Sequence, residues 1–78
     1  MRRLTGKQLR TWRLSQRHVV DGSPLTQRRV AGYLSASLRA WQYWEAGTRQ
    51  VPTWLSTWIR DKKLAVPGYG PKTPAAQP

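Results

Sequence analysis

A small all-α domain of four to five helices is the fold this sequence predicts. Apolar residues recur at helical spacing in successive short segments, and capping and turn residues separate those segments. With 78 residues the chain holds one domain whose core is marginal by surface-to-volume scaling. The absence of cysteine excludes a disulfide framework and a thiolate metal site, so apolar packing must hold that core. Phenylalanine is absent too, which leaves the five tryptophans as the main large-volume residues available to fill it.

The first helix is read from residues 5–18, where Leu9 and Trp12 lie near one face and Arg10, Arg13 and Arg17 are spaced at three and four. Thr5 can cap it, and Asp21-Gly22-Ser23-Pro24 is a turn that must end it. From Leu25 the apolar pattern resumes at Val30, Ala31 and Leu34, with Thr26 or Ser23 as the cap of a short second helix. Ser35-Ala36-Ser37 interrupts the pattern. Ser37 can then cap a third helix that runs to about Ala46 and closes on Gly47. Pro52 and Thr53 open a fourth, in which Trp54, Leu55, Trp58 and Ile59 recur at helical spacing. Residues 1–64 are thus expected to form the domain. Residues 65–78 hold four of the six prolines and read as a Pro-rich, disordered tail.

Fourteen lysines and arginines against three acids give a formal charge of +11 at pH 7. That balance points to a polyanionic partner, and to nucleic acid before an anionic membrane. No run approaches the ~20 apolar residues of a membrane span, and the basic start lacks the apolar stretch of a signal peptide, so a cytoplasmic protein is expected. His18 is the one histidine, and a solvated side chain is its expected state. No metal, cofactor or small-molecule ligand is expected. Nor is an enzyme: Glu45 lacks a second acid or a base within reach, since Asp21 and Asp61 fall in or near loops.

The turn between the second and third helices is too short for them to lie antiparallel, which is the local signature of a helix-turn-helix unit at about residues 26–46. There the chain reads Leu25-Thr26-Gln27, Ala31, the turn Leu34-Ser35-Ala36-Ser37, Trp41, then Trp44-Glu45-Ala46-Gly47-Thr48-Arg49 and Pro52. This resembles the Cro and phage-repressor (XRE-like) helix-turn-helix regulators, whose pattern is Leu-Thr-Gln, an Ala four residues on, a turn, a buried aliphatic, and Trp-Glu-x-Gly before a basic loop and proline. The resemblance covers about residues 6–60 and implies a lambda-repressor-like DNA-binding domain. Three departures stand out. Ser35 occupies the turn position usually held by glycine, where positive φ costs a non-glycine residue roughly 1–2 kcal/mol. The connection 16–24 is longer than usual, and Trp41 replaces a smaller aliphatic residue.

On a helix capped by Ser37, Trp41, Trp44 and Glu45 share one side and Arg39, Gln42, Tyr43 and Ala46 the other. The second helix of such a unit enters the major groove with its N-terminal residues at the base edges. Ser37, Leu38, Arg39, Gln42 and Tyr43 are therefore the expected base-reading set, with Arg39 matched to guanine and Gln42 to adenine. The resemblance implies that Gln27 grips a phosphate. Arg28 and Arg29 flank that contact, and Thr48, Arg49 and Gln50 are expected to clasp the backbone on the other side. It also implies that Glu45 pairs with Arg13 of the first helix. Trp54, Trp58 and Ile59 are the expected homodimer contact, because two-fold operators call for two-fold dimers, with the alternative that they and Leu55 are simply core.

The expected function is a sequence-specific regulator of phage or mobile-element type, a repressor binding a palindromic double-stranded DNA operator on the bacterial nucleoid. Two alternatives stand beside it: a non-specific DNA or RNA binder that stacks bases on its aromatics, and a phage-encoded protein-interaction inhibitor built on the same fold.

Overall fold

The computed structural model describes residues 3–71, in the order α1 (Gly6–Ser15), β1 (Gln16–His18), α2 (Gln27–Tyr33), α3 (Leu38–Ala46), α4 (Thr53–Arg60) and β2 (Tyr69–Pro71). Four helices carry the mass, and a two-stranded antiparallel sheet corrects the all-α expectation. No helix among the described residues is long and apolar enough to cross a membrane.

Side-chain caps start three of the helices. Thr5 and Gln8 form a reciprocal capping box on α1, Thr26 Oγ1 accepts from Arg29 N, and Ser37 Oγ accepts from Ala40 N. α1 stops at Ser15, earlier than the reading to residue 18, because Gln16 turns extended at φ −87°, ψ 129°. α2, α3 and α4 all end in the same way. At each end one residue goes left-handed, and the next backbone N–H reaches back to a carbonyl five residues earlier: Ala36 to Ala31, Thr48 to Tyr43, Lys63 to Trp58. The left-handed residues are Ser35 (φ 57°), Gly47 (φ 82°) and Lys62 (φ 59°), so only one of the three is glycine.

The core comprises Leu9, Leu25, Val30, Ala31, Trp41, Val51, Leu55, Ile59, Leu64 and Val66, with Trp12, Trp44 and Tyr69 among the partly buried residues packed against it. Trp41 is fully buried, and so is the small Ala31 of α2 in the same cluster. Trp44, expected inward, is only half-buried and meets Trp41 edge to face at 5.8 Å. α1 crosses α3 at Gly6, where an added Cβ would stand 2.5 Å from the Trp44 and Glu45 carbonyl oxygens. Only glycine allows that approach. Ser56, buried on α4, accepts the Leu4 backbone N–H and so ties the N-terminal segment down.

The expected disordered tail is corrected over residues 65–71; residues 72–78 lie outside the described residues. Leu64 and Val66 sink into the core, and Tyr69–Pro71 pairs with β1 in the register Gln16–Pro71, Arg17–Gly70, His18–Tyr69. The long 16–24 connection supplies the other strand. Its turn is braced by His18 N to Ser23 O, Gly22 N to His18 O and Val19 N to Gly68 O, and by Asp21 Oδ1 accepting from Ser23 N and Oγ. The His18 and Tyr69 rings close the sheet edge to face at 5.1 Å.

Candidate functional site

Glu45 organises the polar side of the domain. It projects from α3 toward α1 and the start of α2, with its side chain only 5% exposed. Arg13 Nε donates to Glu45 Oε2 at 2.6 Å and Arg13 Nη2 to Oε1 at 3.1 Å, the two-pronged geometry in which guanidinium matches carboxylate. Arg13 Nη1 also donates to the Leu25 carbonyl at 2.8 Å, which fixes the chain just before α2. Gln27 Nε2 donates to Glu45 Oε1 at 3.1 Å, and the Trp41 indole N–H donates to Oε2. Burial pushes the Glu45 carboxyl up, but the hydrogen bonds from Arg13, Trp41 and Gln27, with the Arg13 charge, outweigh it and hold the group below its ordinary range. One acid thereby locks α1, α2 and α3 together. It is fully engaged as an acceptor, which is the arrangement of a structural tie.

The lock sets what the outer face of α3 presents. Arg39 and Gln42 are exposed, and Leu38 and Tyr43 are partly so. Ser37 is exposed, though its hydroxyl oxygen is already occupied by the Ala40 N–H. The Arg49 guanidinium lies over the Tyr43 ring at 5.0 Å, so Tyr43 anchors a loop cation as well as facing outward. Gln27, expected to grip a phosphate, turns its side-chain amide to Glu45. Arg28 is exposed beside it, and the Arg29 guanidinium lies over Tyr69 at 5.8 Å. Thr48, Arg49 and Gln50 are exposed in the loop after α3.

Two cations missed in the sequence join this face. Arg3 donates to Thr53 Oγ1 at 3.1 Å and to Gln50 Oε1, which places it in a polar cleft with Arg49 and Thr53. Nothing in the sequence signalled that contact across 47 residues. Arg10 lines a groove with Arg13, Gln27, Gln42 and Glu45. Its position three residues before Arg13 on one helix face was the available signal. Among the described residues, Glu45 pairs with Arg13 and Asp21 lies 3.5 Å from His18 Nδ1, so Arg3, Arg10, Arg28, Arg39 and Arg49 face outward without an acidic partner.

No protein-family model matches this chain, and comparison with curated proteins and with solved structures finds no match. The chemistry must be read from the residues themselves. No group of three or more histidine, aspartate or glutamate side chains that could hold a metal occurs among the described residues.

Of the expected dimer set, Ile59 is corrected: it is buried in the core, on the same side of α4 as Leu55 and Ser56. Trp54 and Trp58 are 49% and 44% exposed and touch edge to face at 6.1 Å. They form an aromatic patch on the outer side of α4.

Proposed function

We propose that this chain is a sequence-specific double-stranded DNA-binding transcriptional regulator on a lambda-repressor-like helix-turn-helix domain. It acts as a repressor of phage or mobile-element type. The observation that carries the reading is the exposed face of α3, where Arg39 and Gln42 stand clear of the core on a helix locked from behind through Glu45. Rigid presentation favours base readout, because two parallel hydrogen bonds to a guanine or adenine edge demand a fixed helix. Outward cations supply the salt-dependent grip on phosphates, with Arg3 and Arg49 past the C-terminal end of α3, Arg10 in the groove beside Gln42, and Arg28 and Arg29 exposed on α2. Trp54 and Trp58 are the proposed homodimer contact, and a palindromic operator requires such a dimer to present its two α3 helices about 34 Å apart.

Selection of bound sequences from a random duplex pool, followed by titration, tests this. The selected duplex is expected to bind at least about 10³-fold more tightly than random duplex. Equal affinity for every duplex refutes the reading. Tighter binding to single strands, with Trp54 or Trp58 fluorescence quenched, supports a base-stacking binder instead.

A further inference from the structure

A second concave site lies away from the α3 face, between the C-terminal half of α1, the end of α4 and β2. It is a cleft of about 400 Å³, in the range of small-molecule sites, which run from about 300 Å³ upward. Its aromatic sides are Trp12 and Tyr69, and Ile59 and Leu64 contribute the apolar floor. Two polar residues also line it, Gln16, whose amide donates to Ser15 Oγ at 3.2 Å, and Lys62. Lys62 sits at φ 59° in the left-handed position that closes α4, where glycine is the unstrained residue. A lysine is held there at a conformational cost, at the lining of the cleft and with no acidic partner among the described residues.

We infer that this cleft binds a small planar aromatic carboxylate. Two aromatic residues lining one cleft suit a flat ring system stacked or edge-on against them. An unpaired cation at an otherwise apolar site selects an anion, and the +11 charge of the chain adds a favourable field for one. A neutral aliphatic ligand leaves Lys62 unused, and a cation meets it repulsively. Occupancy also bears on the rest of the molecule: Tyr69, one wall of the cleft, carries the Arg29 guanidinium on its ring. The inference is independent of the DNA-binding proposal and runs against the sequence-based expectation of no small-molecule ligand.

The probe is 2-naphthoate, compared with the neutral 2-naphthalenemethanol, titrated into the full-length chain with the tryptophan indole N–H resonances observed by NMR. Saturable binding with Kd of about 1 mM or tighter is expected for a ligand of this size. The Trp12 indole signal is expected to move while those of Trp54 and Trp58 stay in place. The carboxylate is expected to bind about threefold or more tightly than the alcohol, a preference that Lys62→Gln removes. Ala65→Trp, which fills the cleft from its exposed rim, is expected to abolish binding of both. No saturable shift of Trp12, a shift confined to Trp54 and Trp58, or the same preference in Lys62→Gln overturns the inference. The wild-type mapping decides the matter even if the filled variant does not fold.

Discussion

Replacing Glu45 with alanine removes one side chain and strands three donors. The Arg13 guanidinium, whose side chain is 11% exposed, loses both of its carboxylate contacts. The indole N–H of Trp41, a fully buried residue, loses its acceptor, and so does Gln27 Nε2. Breaking a buried ion pair by deleting one partner costs about 3–5 kcal/mol, because the remaining charge stays desolvated and unpaired. A domain of this length has about 4–12 kcal/mol of stability in total. Glu45→Ala is therefore expected to lower Tm by about 12–40 °C, since a domain this small shifts by about 4–8 °C per kcal/mol. Glu45→Gln keeps an oxygen for Trp41 but turns an amide N–H₂ toward Arg13, for a smaller loss of about 1.5–3 kcal/mol. Removing the stranded charge as well reverses part of the damage, so Arg13→Met combined with Glu45→Gln is expected to be more stable than Glu45→Gln alone. Thermal and urea unfolding followed by far-UV circular dichroism measures all three. A Glu45→Ala shift under about 5 °C, or a double variant no more stable than the single, refutes the argument that this pair locks the helices.

Acid acts on the same group. The folded carboxyl of Glu45 titrates below its unfolded value of about 4.3, so its contribution is fully present above that pH and is lost as pH falls through the depressed folded value. Tm is expected to hold from neutrality to about pH 5 and then drop, and a pH series of melts should show a shallower drop in Glu45→Gln. Ser35→Gly relieves a left-handed serine at the cost of a more flexible unfolded chain, and calorimetry is expected to show a net gain of about 1 kcal/mol. Gly6→Ala drives a methyl into two backbone carbonyls and is expected to cost about 1–3 kcal/mol by denaturant titration. On DNA, Arg39→Ala and Gln42→Ala are expected each to lower affinity for the selected duplex by about 1–3 kcal/mol while sparing random duplex. Arg3→Ala and Arg49→Ala are expected to weaken both alike and to reduce the salt slope by about 0.9 per lost contact; competition assays at several salt concentrations separate the two classes.

What could be read in advance was what depends on local chemistry. Thr5, Thr26 and Ser37 cap because a short hydroxyl before an apolar periodic run has a free N–H in reach. Arg13 of α1 and Glu45 of α3 pair in the structure. Glycine as a stop signal located the end of α3 but not the matching ends of α2 and α4, because serine and lysine are held left-handed there by the chain around them. The sheet was hidden for another reason. Gln16–His18 and Tyr69–Pro71 are three residues each, too short to show alternation, and Gly68, Gly70 and Pro71 gave their neighbourhood the composition of a tail. Only pairing across the fold makes strands of them, and a composition window cannot see that. Ile59 and Trp58 differ by one residue and by the whole thickness of the helix wall. The apolar face of α4 was legible, but its phase was set by Ser56, whose hydroxyl turns inward to take the Leu4 N–H.

The 16–24 connection and the bulky Trp41 serve the same need. A chain at +11 repels itself, and it has one buried acid with which to tie its helices. Trp41 fills the core in place of an aliphatic residue and also donates to that acid, so the side chain that adds volume helps keep Glu45 ionised. The 16–24 connection gives the 64–71 segment a strand to pair with, which brings Leu64 and Val66 into a core that 78 residues can barely fill. Arg3 and Arg49 make local contacts with Thr53, Gln50 and Tyr43, but none of the outward cations has an acidic partner among the described residues, and their mutual repulsion works against the packing. A polyanion that neutralises them stabilises the folded state by mass action. Under the proposed DNA-binding reading, folding and binding are coupled through that charge, so the arginines that weaken the free domain would strengthen the bound one.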